Sequence, residues 1–172
     1  MRSVEMRRHT MRVKPGRHLS QAGVDLARRT GNQMDPFDRV ITSTVARAYE
    51  TAIAMGFAVD QQDDRLRSFG IIVDAEIAWD AGFAAWSHAV SAGRAAAHFA
   101  QRQAALLGEL AASLPEEGRA LVITHGGFIE AAAVAALPRA DHTAWGAVCH
   151  YCEGAVFCFE GDHVIAVDVV RV

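Results

Sequence analysis

Arginine and histidine recur in this chain where an apolar run gives way to a turn and a helix. The segment VEMRRHT brings Arg7, Arg8 and His9 together at the end of a short strand; STVARAYETA carries Arg47 one helical turn beyond Thr42 and Ser43; VITHGG sets His125 ahead of two glycines. Two arginines, two histidines and the starts of helices on one rim form a compact cationic pocket, because helix N-termini add unpaired amide N–H groups and positive partial charge. By charge and geometry such a pocket suits phosphate. Each side chain alone has an ordinary reading as a solvated turn or helix-surface residue; their joint placement at three strand ends is the signal.

That placement requires an alternation of strands and helices. Residues 3–8 read as a strand and 19–30 as a helix capped by Ser20 and stopped by Gly31. DRVITS is a second strand, followed at once by a helix that Gly56 closes, and FAVD is a candidate third strand. Residues 61–82 show no clean period. An amphipathic helix is expected from Phe83 to Leu114 with a break near Gly93, ended by Pro115 and Gly118. RALVITH is a near-continuous apolar run of the kind buried in the middle of a parallel sheet, and GGFIEAAAVAAL continues it as a helix. The tail alternates around a Gly-Asp turn, as antiparallel edge strands do. The expected fold is a three-layer α/β/α sandwich whose mostly parallel sheet takes antiparallel edge strands from the C-terminal tail. Its site lies at the carboxyl ends of the strands. The expected organisation is one domain over 1–172, with 61–90 as a small cap or specificity segment.

Bulk composition narrows the partners. Hydrophobic residues make up 51% of the 172 and charged residues 22%, which is globular composition. A formal charge of −3 argues against a nucleic-acid or membrane-surface binder, yet residues 1–31 are strongly basic, so a small anion is the expected partner. No secretory signal or membrane span is evident, and Cys149, Cys152 and Cys158 suit reduced thiols, which points to a cytoplasmic address. The single Cys149-x-x-Cys152 pair is weak evidence for zinc, and no metal or cofactor is expected.

Four segments, in order and spacing, resemble the signatures of the histidine phosphatase superfamily, the phosphoglycerate-mutase-like proteins. RRHT resembles the Arg-His-Gly signature, HLSQAG the Leu-Thr-x-x-Gly segment, STVARAYETA the Ser-x-x-x-Arg-Ala-x-x-Thr-Ala helix, and VITHGGFI the second His-Gly motif. The resemblance implies a metal-independent phosphomonoesterase in which His9 takes the phosphoryl group as phosphohistidine before water releases it. Arg8, Arg47 and His125 would clamp the transferring oxygens of a small phosphorylated substrate or phosphoprotein. Hydrolysis is favoured over a mutase reaction because 61–90 is short for a lid that must retain an intermediate.

Three departures accompany the resemblance. Thr10 replaces the glycine after the histidine, and its hydroxyl is placed to touch the phosphate. Arg12 and Arg17 either extend the pocket or lie on a solvated loop. Ser68 stands where many members carry an acid, which leaves the leaving-group donor to Asp74, Glu76 or Asp80, with Glu76 preferred. The missing acid also motivates a second reading, a weak or silent module that binds a phospho-ligand without turnover.

Overall fold

The computed structural model describes all residues from Met1 to Val172. Six strands form one sheet: β1 (Arg2–Arg8), β2 (Arg39–Ser43), β3 (Gln61–Asp63), β4 (Arg119–Thr124), β5 (Gly154–Glu160) and β6 (His163–Val170), in the order β3-β2-β4-β1-β5-β6. The pairs β3–β2, β2–β4 and β4–β1 are parallel; β1–β5 and β5–β6 are antiparallel. The C-terminal tail thus supplies the antiparallel edge, as its alternation predicts.

Both faces of the central strands are covered, which is why β4 reads as an unbroken apolar run. Its Ala120 and Val122 face a large core of 31 buried apolar residues, while Leu121 and Ile123 face a smaller core of 8. The large core packs α3 (Ile71–Glu76), α4 (Gly82–Ser91), α5 (Ala95–Ser113) and α6 (Phe128–Ala136) on one side of the sheet. The smaller one packs α1 (Gln21–Gly31) and α2 (Ala46–Met55) on the other. In β1, Val4 and Met6 face the large core. Glu5 and Arg7 turn the opposite way as a buried pair at 2.6 Å, and Arg7 Nη1 also donates to the Cys152 carbonyl at 2.9 Å. Arg7 is therefore a structural cation, and strand alternation separates it from Arg8.

Three elements depart from the sequence expectation. FAVD is not a strand: β3 begins one residue later, at Gln61, because the parallel ladder continues from Ile41 with Gln61, and Asp60 is occupied pairing Val40 from both backbone and carboxylate. Residues 61–82 fold as β3, a 3-10 turn (Asp64–Leu66), α3 and a second 3-10 turn (Trp79–Ala81). The expected long helix is two. Gly93, at φ 70°, lets the chain leave α4 in the left-handed conformation, and α5 restarts at Ala95. Arg94 offers no side-chain cap to the new helix, so the carboxylate of Glu76 serves instead, accepting from the amides of Ala95 (3.3 Å) and Ala96 (2.9 Å).

Candidate active site

The carboxyl ends of β1, β2 and β4 meet at an open cleft of about 390 Å³. Arg8 ends β1 and His9 follows it, with the His9 amide donating to the Thr124 carbonyl at 2.8 Å. Ser43 ends β2, and Arg47 lies in the first turn of α2. His125 follows β4 directly and precedes α6.

The hydrogen bonds fix the state of both imidazoles. His9 Nδ1 lies 2.7 Å from the Thr10 carbonyl, which only accepts, so Nδ1 carries the proton; Arg47 Nε donates to Nε2 at 2.9 Å. The Nε2 lone pair is consequently free of protons and faces the arginine. His125 has the mirror arrangement: Arg47 Nη2 lies 3.3 Å from Nδ1, which must accept, and Nε2–H donates to Ser43 Oγ at 3.1 Å. The two rings stand edge to face with centroids 5.1 Å apart.

Electrostatics agree with neutral rings. Burial lowers the His9 pKa from 6.5 to about 4, opposed by the Thr10 carbonyl and aided by the charges of Arg47, Arg8 and Arg12. Burial, His9, Arg47 and Arg8 lower that of His125 to about 3. Arg47 is itself held below the ordinary arginine value, by burial first and then by Arg12.

Arg8 is held by two contacts, and the second also borders His9. Its Nη1 donates to the Cys149 carbonyl at 2.9 Å, its guanidinium lies 4.8 Å from the centre of the Tyr151 ring, and the Tyr151 ring centre is 6.0 Å from that of His9. The Cys149 amide in turn donates to Glu130, a fully buried carboxylate that also accepts from Gly127 N at 2.7 Å. Arg8 Nε is buried with no partner.

Among the residues anticipated from sequence, Arg8, His9, Arg47 and His125 line the cleft together. The other three do not reach it. Thr10 is fully buried: its hydroxyl donates to the Gly23 carbonyl at 3.0 Å and its amide to Thr51 Oγ1 at 3.1 Å, which leaves nothing to touch a phosphate. Because Thr51 Oγ1 also donates to the Arg47 carbonyl at 2.6 Å, Thr10 instead ties the His9 turn to the helix that carries Arg47. Arg12 donates to the Gly16 carbonyl at 2.7 Å and contributes long-range charge rather than lining. Glu76 is absent from the lining and engaged at the start of α5. Asp74 accepts from Trp79 Nε1 at 3.2 Å, and Asp80 is exposed.

Of the remaining lining, the sequence singles out Ser68, as the position where many relatives carry an acid, but not Arg67 or the apolar residues. Ser68 and Arg67 stand at the rim, and Phe69, Trp79, Phe128 and Val148 make an apolar wall. No Asp or Glu lines the cleft. No group of three or more His, Cys, Asp and Glu side chains is arranged to hold a metal. Cys149 and Cys152 are buried and free, with thiols raised by burial and, for Cys149, by Glu130, so the pair does not favour the thiolates that zinc needs.

Fold and site define an α/β protein with two neutral histidines and two arginines lining one cleft at the strand ends. The chain belongs to the histidine phosphatase superfamily, branch 1, whose model matches residues 3–170. Among solved structures it is similar to phosphoserine phosphatase from Entamoeba histolytica in complex with 3-phosphoglyceric acid, at 16% identity and a TM-score of 0.73 over 100% of this chain and 98% of the other. It is also similar to mycobacterial glucosyl-3-phosphoglycerate phosphatase complexed with VO3 (23%, TM-score 0.69, 99% and 98% covered). A third likeness is to Bacillus stearothermophilus YhfR (19%, TM-score 0.71, 98% and 96%). At these identities the likeness is one of fold. No match was found among curated protein sequences. No helix is long and apolar enough to cross a membrane.

Proposed function

We propose that this protein is a phosphatase that hydrolyses phosphate monoesters of a small substrate or phosphoprotein through a phosphohistidine at His9. One observation carries the reading: an unprotonated imidazole nitrogen faces a cleft lined by cations and by no carboxylate. Such a cluster repels itself until a dianion enters, and phosphoryl transfer asks mainly for an in-line attacker with cations around the equatorial oxygens.

His9 Nε2 attacks phosphorus while the bond to the leaving oxygen breaks. As Nε2 gives up its electron pair the ring turns cationic, and the Thr10 carbonyl facing Nδ1–H holds that charge. Arg47 must release Nε2 before attack, and the incoming phosphate oxygens offer its guanidinium a stronger partner than a neutral ring. Arg8, Arg47 and His125, which line the cleft with His9, form the clamp. Water then attacks phosphorus, the P–N bond breaks, and the pair returns to Nε2.

The test is a trapping experiment with substrate labelled in the phosphoryl group. Wild type is expected to retain label that is lost in acid and kept in alkali, as a phosphoramidate behaves, and His9→Ala to retain none and show no turnover. Acid-stable label would refute the intermediate. The lack of a carboxylate in the cleft also favours a second reading, a phospho-ligand-binding module; stoichiometric vanadate binding with neither label nor turnover on any ester would select it.

A further inference from the structure

The cleft has two unlike sides, and the side away from the cations bears on the leaving group. Phe69 and Trp79 are half-buried with ring centres 5.9 Å apart, and both press against Gly127, two residues after His125. A Cβ on Gly127 would stand 3.0 Å from each ring, and the residue sits at φ 90°, so the aromatic wall begins at the backbone that carries the phosphate clamp. The indole N–H of Trp79 is already bonded to Asp74, and the carbon edge opposite it, at Cη2, is the part of the ring nearest Gly127, so Trp79 offers the cleft apolar surface rather than a free donor. No Asp or Glu lines the cleft, so no carboxyl group there protonates a departing alkoxide or pairs with an ammonium group.

We infer that the cleft takes aryl phosphates: the phosphate lies among Arg8, His9, Arg47 and His125, and a phenolic ring packs against Trp79 and Phe69. The inference deepens the phosphatase reading and rests on it. His9 Nε2 forms a bond to phosphorus as the P–O(aryl) bond breaks. The electron pair leaves on the phenolate, which is stable without a donor and takes its proton from water. Water then attacks phosphorus and cleaves the P–N bond, giving inorganic phosphate and a proton to solvent. An aliphatic alkoxide leaves poorly from this cleft, and a zwitterion such as phosphoserine finds no counter-charge for its ammonium.

Aryl esters are intrinsically more labile, so the test separates acidity from stacking. Phenyl phosphate, a phosphotyrosyl peptide, phosphoserine and hexafluoroisopropyl phosphate, whose alcohol is about as acidic as phenol but not aromatic, are compared on wild type, Trp79→Ala and Trp79→Phe. Wild type is expected to favour phenyl over hexafluoroisopropyl phosphate by about tenfold in kcat/KM, a preference erased in Trp79→Ala and kept in Trp79→Phe. A peptide faster than phenyl phosphate would place the ring on a polypeptide; a slower one would place it on a small molecule. Equal rates for the two acidic esters, an unchanged preference in Trp79→Ala, or phosphoserine outrunning phenyl phosphate would overturn the inference. In those cases label on His9 would still uphold the phosphatase reading, whereas no label from any ester would remove both.

Discussion

The floor and the wall of the cleft are made from different kinds of chain. Arg8, His9 and His125 stand at the ends of β1 and β4, neighbours in the parallel ladder, and the His9 amide is bonded to the Thr124 carbonyl. Phe69 and Trp79 of the wall come from residues 64–82, two 3-10 turns and the six-residue α3, whose isoleucines lie in solvent, while Phe128 and Val148 come from α6 and the loop before β5. Ladder bonds on both sides hold strand ends to the tolerance that in-line transfer needs, while short elements on a core surface change sequence at little cost to the sheet. Under the proposed function, the contrast assigns the chemistry to the rigid half and the choice of leaving group to the other.

The largest effect expected to sharpen that contrast is on the floor. Arg47→Ala removes a donor to both imidazoles and a clamp on the phosphate, and should lower kcat/KM by on the order of a hundredfold or more on every ester alike. A loss that varies strongly with leaving group, or near-normal activity, would break the division of labour. Steady-state kinetics on esters graded by leaving-group acidity measures it.

The buried histidines also make the floor the acid-sensitive half. Their folded values, about 4 and about 3, lie below the unfolded 6.5, so between these limits the unfolded chain binds protons that the folded chain refuses. Their contribution is intact above pH 6.5 and is lost as pH falls through the unfolded value, on the order of 1–2 kcal/mol for each histidine between pH 6.5 and 5. Denaturant unfolding as a function of pH should therefore show a slope that His125→Gln flattens. An unaltered slope would mean that other groups govern acid stability.

The smallest effect is expected at Glu76. As the acceptor for two amides at the start of α5 it should cost about 1 kcal/mol when changed to alanine, a drop of roughly 3 °C in Tm for a domain of this size. The dependence of rate on leaving-group acidity should stay as it is in wild type. A dependence that steepens in Glu76→Ala would restore the carboxylate to the chemistry.

Glu76 also shows where the sequence stops being legible. Arg8, His9, Arg47 and His125 were readable because each follows a strong apolar run, and strand ends in an open α/β sheet share a rim. The role of Glu76 depends on α5 beginning at Ala95 without a capping side chain, and on that start lying beside a residue 19 positions earlier, which no local pattern encodes. Thr10 misled because a hydroxyl next to the nucleophile invites a role in binding, while the folded turn directs it to the Gly23 carbonyl. β3 was displaced because Gln-Gln-Asp has neither β-branched residues nor alternation, and only its register with Ile41 makes it a strand. Tyr151 and Glu130, which help to place Arg8, act through a stacking contact and a backbone amide of Cys149, signals that composition and spacing do not carry.

The bond from Arg47 Nε to His9 Nε2 has a consequence for the idle protein. A neutral imidazole with a proton-free nitrogen is among the side chains most readily acylated or alkylated by electrophilic metabolites. Here the vulnerable electron pair is already engaged by a guanidinium, and an aldehyde, epoxide or activated acyl group has no negative charge with which to draw that guanidinium aside. A reagent bringing its own negative charge can draw the guanidinium aside, so in the resting protein the arginine bonded to Nε2 also covers it.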